Sequence, residues 1–448
     1  MIEMENVKKS NFIVGPILPT LMKFAMPILL ALFIQALYGA VDLWVVGKYC
    51  GSADVSAVAT GSQTMLIITG ALTGLAVGVT VFLALKYGEG EYEKAADTIG
   101  TSILLFLGIS IVLTIIMVIA APKIALVMNA PPAAMEKTIK YILICSSGIV
   151  FITGYNLLAA IFRGLGNSNL PLLFVLIACF FNILGDIVLV KYLHMDAAGT
   201  AIATIFAQAM SVLMSFFVIL KQGFPFPFSK KNLKFKFSIA KTVVKLGFPI
   251  AFQDMCNEIS FLVLIGIVNS LGLIESAGVG IAERIVMFML LIPVAYMSSI
   301  SAFVAQNIGA GEKERAKRSL WVGMSTAVIL GGISSYLSFF HGDKISMIFS
   351  QDAEVIKASA TFLKATSIEC FILSIAYCFT GYFNGLGRTT FVMVQGLIAT
   401  YAVRIPYAYL ARRQPVPSLF NIGFSAVAAA LFTLIVCIVY YHRKAKEI

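Results

Sequence analysis

Twelve stretches of the chain are long and apolar enough to cross a bilayer as helices, and this bounds every other reading of it. They fall near residues 16–47, 54–86, 95–121, 137–162, 169–191, 197–221, 242–269, 276–307, 318–340, 357–383, 390–410 and 418–441. A hydrocarbon core of ~30 Å takes about 20 mostly apolar residues in helical form. Inside it each backbone N–H and C=O must be satisfied by the protein, which leaves helices or closed barrels. A barrel would show alternating segments of ~10 residues, whereas these runs are continuous. The predicted fold class is an all-α membrane protein with twelve transmembrane helices. Composition agrees, since 59% of the 448 residues are hydrophobic and 12% charged, against about 45–50% and ~25% in soluble domains. That scarcity of charge excludes a soluble multidomain enzyme, a disordered chain and a disulfide scaffold.

The formal net charge of +11 fits either an anionic partner or the basic cytoplasmic loops of a membrane protein. The distribution decides. With the N-terminus placed inside, 21 of the 33 Lys and Arg residues fall at cytoplasmic helix ends, Lys8, Lys9 and Lys446 among them. Eleven fall outside and Arg284 lies within a span. Both termini are therefore expected in the cytoplasm, and the basic run from Lys230 to Lys245 reads as a topological determinant, with anionic lipid contact a lesser reading. No nucleic acid is required. The first apolar stretch reads as the first membrane helix rather than a cleaved leader. The seven cysteines form no CxxC pair and the three histidines are scattered, so no zinc site or disulfide framework is expected. No GxxxxGK[ST] loop occurs, and no cofactor is expected.

The chain is internally duplicated. Tyr87-Gly88-Glu89-Gly90-Glu91 through Ala95 recurs as Ile308-Gly309-Ala310-Gly311-Glu312 through Ala316. Phe162-Arg163-Gly164-Leu165-Gly166 recurs as Phe383-Asn384-Gly385-Leu386-Gly387, both pairs 221 residues apart. Pro27-Ile28 and Pro249-Ile250 match at 222. The expected division is an N-lobe over 1–221, a cytoplasmic linker over 222–238 and a C-lobe over 239–448. Six helices is an even number, so the two bundles share one orientation and relate by an axis along the membrane normal. Such parallel repeats predict two pseudo-symmetric six-helix lobes in a V around a central cleft. Gly70, Gly74 and Gly78 form a double GxxxG, which predicts close helix packing. Pro27, Pro249 and Pro293 lie inside predicted helices and favour bends there.

Ionisable groups inside hydrocarbon are costly and mark ion or substrate paths. Of 22 acids, those within spans are Asp42, Asp186, Asp254, Glu258, Glu283 and Glu369. Gln35, Tyr38 and Asp42 are spaced to share one helix face, as are Asn182 and Asp186. Two carboxylates with amide and hydroxyl oxygens could bind Na⁺ or share a proton; the same groups also fit interhelical hydrogen bonding. In the second half, Asp254, Asn257 and Glu258 form a polar patch that could attract a cationic substrate or stabilise the bundle. Glu283 beside Arg284, and Glu369 near Lys364, read as local charge compensation. Met287, Met289 and Met297 give the eighth span an adaptable apolar surface, suited to apolar cations or to plain packing. No acid occupies the duplicate positions of Asp42 or Asp186, where Val263 or Leu264 and Tyr407 or Ala408 stand. The ion site is expected in the first half alone.

These residues carry a resemblance. Pro27 followed by Val41-Asp42-Leu43-Trp44-Val45-Val46-Gly47, the two Gly-x-Gly-Glu loops, Arg163-Gly164-Leu165-Gly166, Asn182-x-x-x-Asp186 and Arg404-Ile405-Pro406 resemble the multidrug and toxic compound extrusion (MATE) transporters over nearly the whole chain. The pattern is more similar to the DNA-damage-inducible and MepA-like branch than to the NorM branch, whose helix-10 aspartate is absent from Phe371–Ala376. Glu258 does stand where NorM-like members carry a glutamate. The resemblance implies an antiporter, not an enzyme, in the cell membrane, acting as a monomer. It would export drugs and organic, often cationic, amphipathic compounds in exchange for H⁺ or Na⁺. It implies a cation site of Asp42, Asn182, Asp186 and Thr204, with Asp42, Asn182 and Asp186 as Na⁺ ligands if sodium drives it. Gln35, Tyr38, Asp254, Asn257, Glu258 and Met287 would then line the substrate cleft. Alternatives are a lipid-linked precursor flippase of the same superfamily, which would favour a cationic cavity, and a membrane-embedded enzyme or channel, for which no nucleophile–base set or pore loop is visible.

Overall fold

The structure, a computed structural model, describes residues 12–444. Lys8, Lys9 and Lys446, counted above toward orientation, lie outside the described residues, as do both termini. Every element among the described residues is helical. In chain order they are α1 (Ile17–Tyr49), α2 (Ser52–Gly88), α3 (Tyr92–Val127), α4 (Met135–Ser147), α5 (Ile149–Gly164), α6 (Asn169–Asp186) and α7 (Asp196–Gln222). The second half has α8 (Phe237–Asn269), α9 (Leu273–Gly309), α10 (Lys313–Ser346), α11 (Ala353–Gly385), α12 (Thr389–Leu397), α13 (Ile405–Arg412) and α14 (Leu419–Lys444). Two π-helical segments interrupt the α geometry, Ile187–Tyr192 after α6 and Ile398–Arg404 between α12 and α13. Eleven helical spans among the described residues are long and apolar enough to cross a membrane, and α4 with α5, bent by 50°, make a twelfth. The expected break-free fourth span is thus two helices meeting at Gly148. The helices containing Pro27, Pro249 and Pro293 run on through each proline.

Outward faces follow from the solvent. Ile115, Ile119, Leu126 and Val127 of α3 are half to four-fifths exposed, which is unfavourable in water and neutral in lipid. The long helices end in matched caps. Gly90 and Gly311 have φ of +74° and +78°, and Gly166 and Gly387 have +79° and +72°. At each, the next residue's N–H reaches back to close the last turn. Glu91 donates to the Lys86 carbonyl at 3.1 Å and Glu312 to Asn307 at 2.8 Å. Asn167 donates to Phe162 at 2.9 Å and Arg388 to Phe383 at 2.8 Å. These are the left-handed glycine caps that satisfy orphan carbonyls, and the repeated sequence motifs encode them. In the first copy Lys94 and then Lys86 hold the Glu91 carboxyl down to about 2, and in the second Lys317 Nζ pairs with Glu314 at 3.0 Å.

The chain divides into two compact units. Leu30–Ala251 forms the body of unit 1, while Gly15–Leu29 and the chain from Phe252 onward form unit 2. Both divisions fall inside a helix, two residues beyond Pro27 in α1 and two beyond Pro249 in α8. Within unit 1, the glycines of α2 explain why the first half of α8 belongs there. A Cβ on Gly74 would lie 2.7 Å from the Ala251 backbone, and one on Gly78 would lie 2.4 Å from the Val243 carbonyl oxygen. Gly247 of α8 answers from the other side, 2.3 Å from the Leu75 carbonyl oxygen by the same measure. Gly70, the third member of the motif, has nothing within 4 Å. Within unit 2, the start of α1 is held by Leu21 against Gly323 of α10 and by Tyr296 of α9, whose hydroxyl donates to Met22 Sδ at 3.1 Å.

Backbone lies where the Gly78 side chain would go, so relief requires the helices to part. Gly78→Val is expected to cost at least about 1–3 kcal/mol, seen as a lower melting temperature in detergent. Gly70→Val should melt within about one degree of the parent, and equal losses in the two variants would contradict this packing.

Candidate functional site

The polar centre of unit 1 is built on α1, α6 and α7. Asp42 of α1 is 7% exposed, Asn182 and Asp186 of α6 are 1% and 0%. Their approach depends on small residues: a Cβ on Gly185 would lie 2.9 Å from Ala203 Cβ, so α6 meets α7 closely beside Asp186. Thr204 of α7 sits at the junction. Its hydroxyl donates to Asp42 Oδ2 at 3.4 Å and accepts from Asn182 Nδ2 at 3.4 Å. The Asp42 and Asp186 carboxyls are close enough to act on one another. The structure thus brings together all four expected cation-site residues.

What the cluster lacks is donors. Asp42 Oδ1, Asn182 Oδ1 and both oxygens of Asp186 are buried without a hydrogen-bond partner. Native proteins rarely leave buried acceptors so, and each costs about 1–3 kcal/mol unless something supplies the missing positive charge or proton. Four bare oxygens in one place are suited to a hard cation or a proton. Gln35 and Tyr38 continue the polar face of α1. Gln35 Nε2 donates to the Tyr155 hydroxyl at 3.2 Å, and Gln208 Nε2 donates to the Tyr38 hydroxyl at 3.5 Å. Gln208 and Tyr155 were not singled out from the sequence. Gln208 was findable, lying one helical turn beyond Thr204; Tyr155 had no local signal. Asp186 is the last residue before the π-helical segment, a geometry frequent at functional sites.

Unit 2 carries a different chemistry. The residues 222 positions beyond Asp42 and Asp186 are Leu264 and Ala408, 3% and 0% exposed within one apolar core. The residue 222 beyond Asn182 is Arg404, at the end of the second π-helical segment. Its guanidinium acts on both Glu283 of α9 and Glu369 of α11. Sequence proximity pointed to Arg284 and Lys364 instead, yet both of these side chains are exposed. The countercharge comes from another helix because sequence neighbours point away from one another around a helix. The other expected residues of the second half lie here too. Asp254, Asn257 and Glu258 are half-buried along α8, and Asn257 Oδ1 accepts from Thr400 Oγ1 at 3.2 Å. Met287 of α9 is 52% exposed. Among the described residues no group of three or more His, Cys, Asp and Glu side chains is placed to hold a metal.

Removing Arg404 leaves two glutamates facing each other without a cation. Arg404→Leu is expected to lower the melting temperature, because it removes the cation whose field reaches both half-buried carboxylates. Adding Glu283→Gln and Glu369→Gln should restore much of the lost melting temperature. If the triple variant melts below the single one, the arginine is not their countercharge.

Comparison with known proteins places this architecture. The chain is 23% identical over 404 residues to the probable multidrug resistance protein YpnP of Bacillus subtilis, covering 90% of each. It is 22% identical to the multidrug export protein MepA of Staphylococcus saprophyticus, covering 84% of each, and 23% identical to the probable multidrug resistance protein NorM of Thermotoga maritima, covering 87% and 84%. A solved structure of a MATE protein in complex with MaL6 superposes with a TM-score of 0.92 at 18% identity, over 99% of both chains. The MatE family model matches twice, at residues 27–188 and 249–410. Those two matches repeat the duplication read from the sequence and together take in well over half of the chain, which therefore belongs to the MATE family.

Proposed function

We propose that this protein is a secondary antiporter that exports organic, often cationic, amphipathic compounds across the cell membrane in exchange for H⁺ or Na⁺. The observation that carries this reading is the donor-poor set of buried oxygens on Asp42, Asn182 and Asp186. Two carboxylates in a low-dielectric site repel each other and favour uptake of a proton or a cation. The same oxygens, with the Thr204 hydroxyl, supply the hard ligands that Na⁺ prefers. The candidates for contact with substrate cations are Gln35 and Tyr38 in unit 1, and Asp254, Asn257, Glu258 and Met287 in unit 2.

Coupling would run through α1. The helix carries Asp42 in unit 1 and, before Leu30, belongs to unit 2. Filling the site changes the charge beside this helix, and a change in its position or bend would favour one access state over the other. The chain would act as a monomer with both termini in the cytoplasm. The placement nearer the MepA-like branch is supported by Phe371–Ala376, which hold no acid, while Glu258 is the feature shared with the NorM pattern. The flippase alternative calls for a net cationic cavity, whereas Arg404 is outnumbered by the two glutamates it faces.

Purified protein in liposomes, loaded with a fluorescent organic cation, tests the reading under separately imposed pH and Na⁺ gradients. One gradient should drive transport by the parent. Asp42→Asn and Asp186→Asn should each lose at least about tenfold in rate while inserting and melting like the parent. Parent-like efflux by Asp42→Asn would overturn the site assignment, and no efflux by the parent under either gradient would overturn the antiport itself.

A further inference from the structure

Between Asp196 and Asp254 the chain has no acidic residue and seven lysines, Lys221, Lys230, Lys231, Lys234, Lys236, Lys241 and Lys245. The connection from α7 to α8 lies in this stretch, and its two sides are built differently. The inner side is fastened to unit 1. Lys236 Nζ pairs with Asp97 of α3, a carboxylate only 6% exposed, and Asn232 Nδ2 donates to the other oxygen of Asp97 at 3.2 Å. Thr101 Oγ1 donates to the Lys234 carbonyl at 3.2 Å and accepts from the Lys236 backbone N–H at 3.4 Å. Gly100 makes room, since a Cβ there would sit 1.9 Å from the Asn232 carbonyl oxygen. Upstream, Phe226 is buried against the rings of Tyr87 and Tyr92, and Phe224 packs on Phe162.

The outer side is aromatic and basic at once. Leu233, Phe235 and Phe237 are 41%, 52% and 73% exposed and are interleaved with the exposed Lys234 and Lys236. Lys230, Lys231, Lys234, Lys241 and Lys245 are exposed and have no acidic partner among the described residues. Fixed phenyl rings are costly in water, and fixed lysines without counterions repel one another. The connection follows α7, whose Phe216, Phe217 and Leu220 are 58%, 60% and 70% exposed. It joins the ends of two helices long and apolar enough to cross a membrane, a position that calls for headgroup depth. Rings at the acyl boundary and ammonium groups among phosphates satisfy both demands together.

We propose that Lys230–Lys245 is a binding site for anionic phospholipid headgroups, with Phe235 and Phe237 entering the lipid boundary and the Asp97–Thr101 latch holding the segment in place. The site is independent of the transport reading, and its test needs no transport. Full-length protein in a neutral detergent is titrated with short-chain phosphatidylglycerol, phosphatidylcholine or inorganic phosphate, and binding is read as the rise in melting temperature. The parent should be stabilised by phosphatidylglycerol alone, and salt should weaken the effect. Lys230→Gln/Lys231→Gln/Lys234→Gln should weaken apparent affinity by at least tenfold, given about fivefold per lysine at an anionic surface. The triple Lys→Arg variant should keep it, which controls for folding. Phe235→Ser/Phe237→Ser should weaken phosphatidylglycerol binding with all lysines present, separating lipid from a soluble anion. Equal stabilisation by phosphatidylcholine or phosphate, or an unchanged response in the Lys→Gln variant, would overturn the proposal.

Discussion

In hydrocarbon no water completes an unfinished hydrogen bond, and much of this structure follows from that constraint. Helices satisfy their own backbones, and the glycine caps at Gly90, Gly166, Gly311 and Gly387 close the carbonyls at their ends. Side chains are then the remaining place where a polar group can be left unmatched. Most are not: Thr73 Oγ1 donates to Asn156 Oδ1 at 2.8 Å, and Lys137 reaches both oxygens of buried Asp54 at 2.8 and 2.7 Å. What sets Asp42, Asn182 and Asp186 apart is that several unpaired oxygens, most of them carboxylate, belong to one cluster. A group that polar could have been paired, as Asp54 is, at the cost of one lysine.

The duplication sharpens the contrast. The two halves keep the same caps at the same spacing, so the backbone plan is common to both. Their interiors have parted. The acid positions of the first half are Val263 or Leu264 and Tyr407 or Ala408 in the second, none of them acidic, and Arg404 stands at or beside the counterpart of Asn182. A cation set among glutamates compensates charge within unit 2, whereas unit 1 carries two carboxylates and no cation beside them. Unit 2 sets one arginine among its acids, and unit 1 leaves its two without any cation.

Much of this was legible in the sequence. The spans were, because a run of twenty apolar residues has few other uses, and Asp42, Asn182 and Asp186 were, because a carboxylate inside such a run is conspicuous. The break at Gly148 was not, since a glycine in an apolar helix more often marks close packing, as Gly74 and Gly78 do here. The π-helical segments leave hydropathy unchanged and so leave no trace in it. Partners on other helices were also hidden. Arg404 lies 35 residues from Glu369 and 121 from Glu283, so only the folded chain shows that its charge reaches both. The same holds for Asp97 and Lys236, whose pairing turns a run of lysines into an ordered surface.

The proline positions connect these local facts to the proposed mechanism. A proline inside a membrane helix removes one N–H and frees a carbonyl, which lowers the cost of bending there without requiring a bend. Pro27 and Pro249 stand two residues before the points where α1 and α8 pass from one compact unit to the other, and both helices are continuous through them. A helix that must serve two units is under most demand at that point. An ion can drive such a helix only if it binds one conformation more tightly than another. In unit 1 two carboxylates lie side by side with oxygens whose needs an arriving cation or proton would change. That is why the coupling step is assigned to α1 and Asp42 rather than to α8, whose Asn257 already has its partner in Thr400.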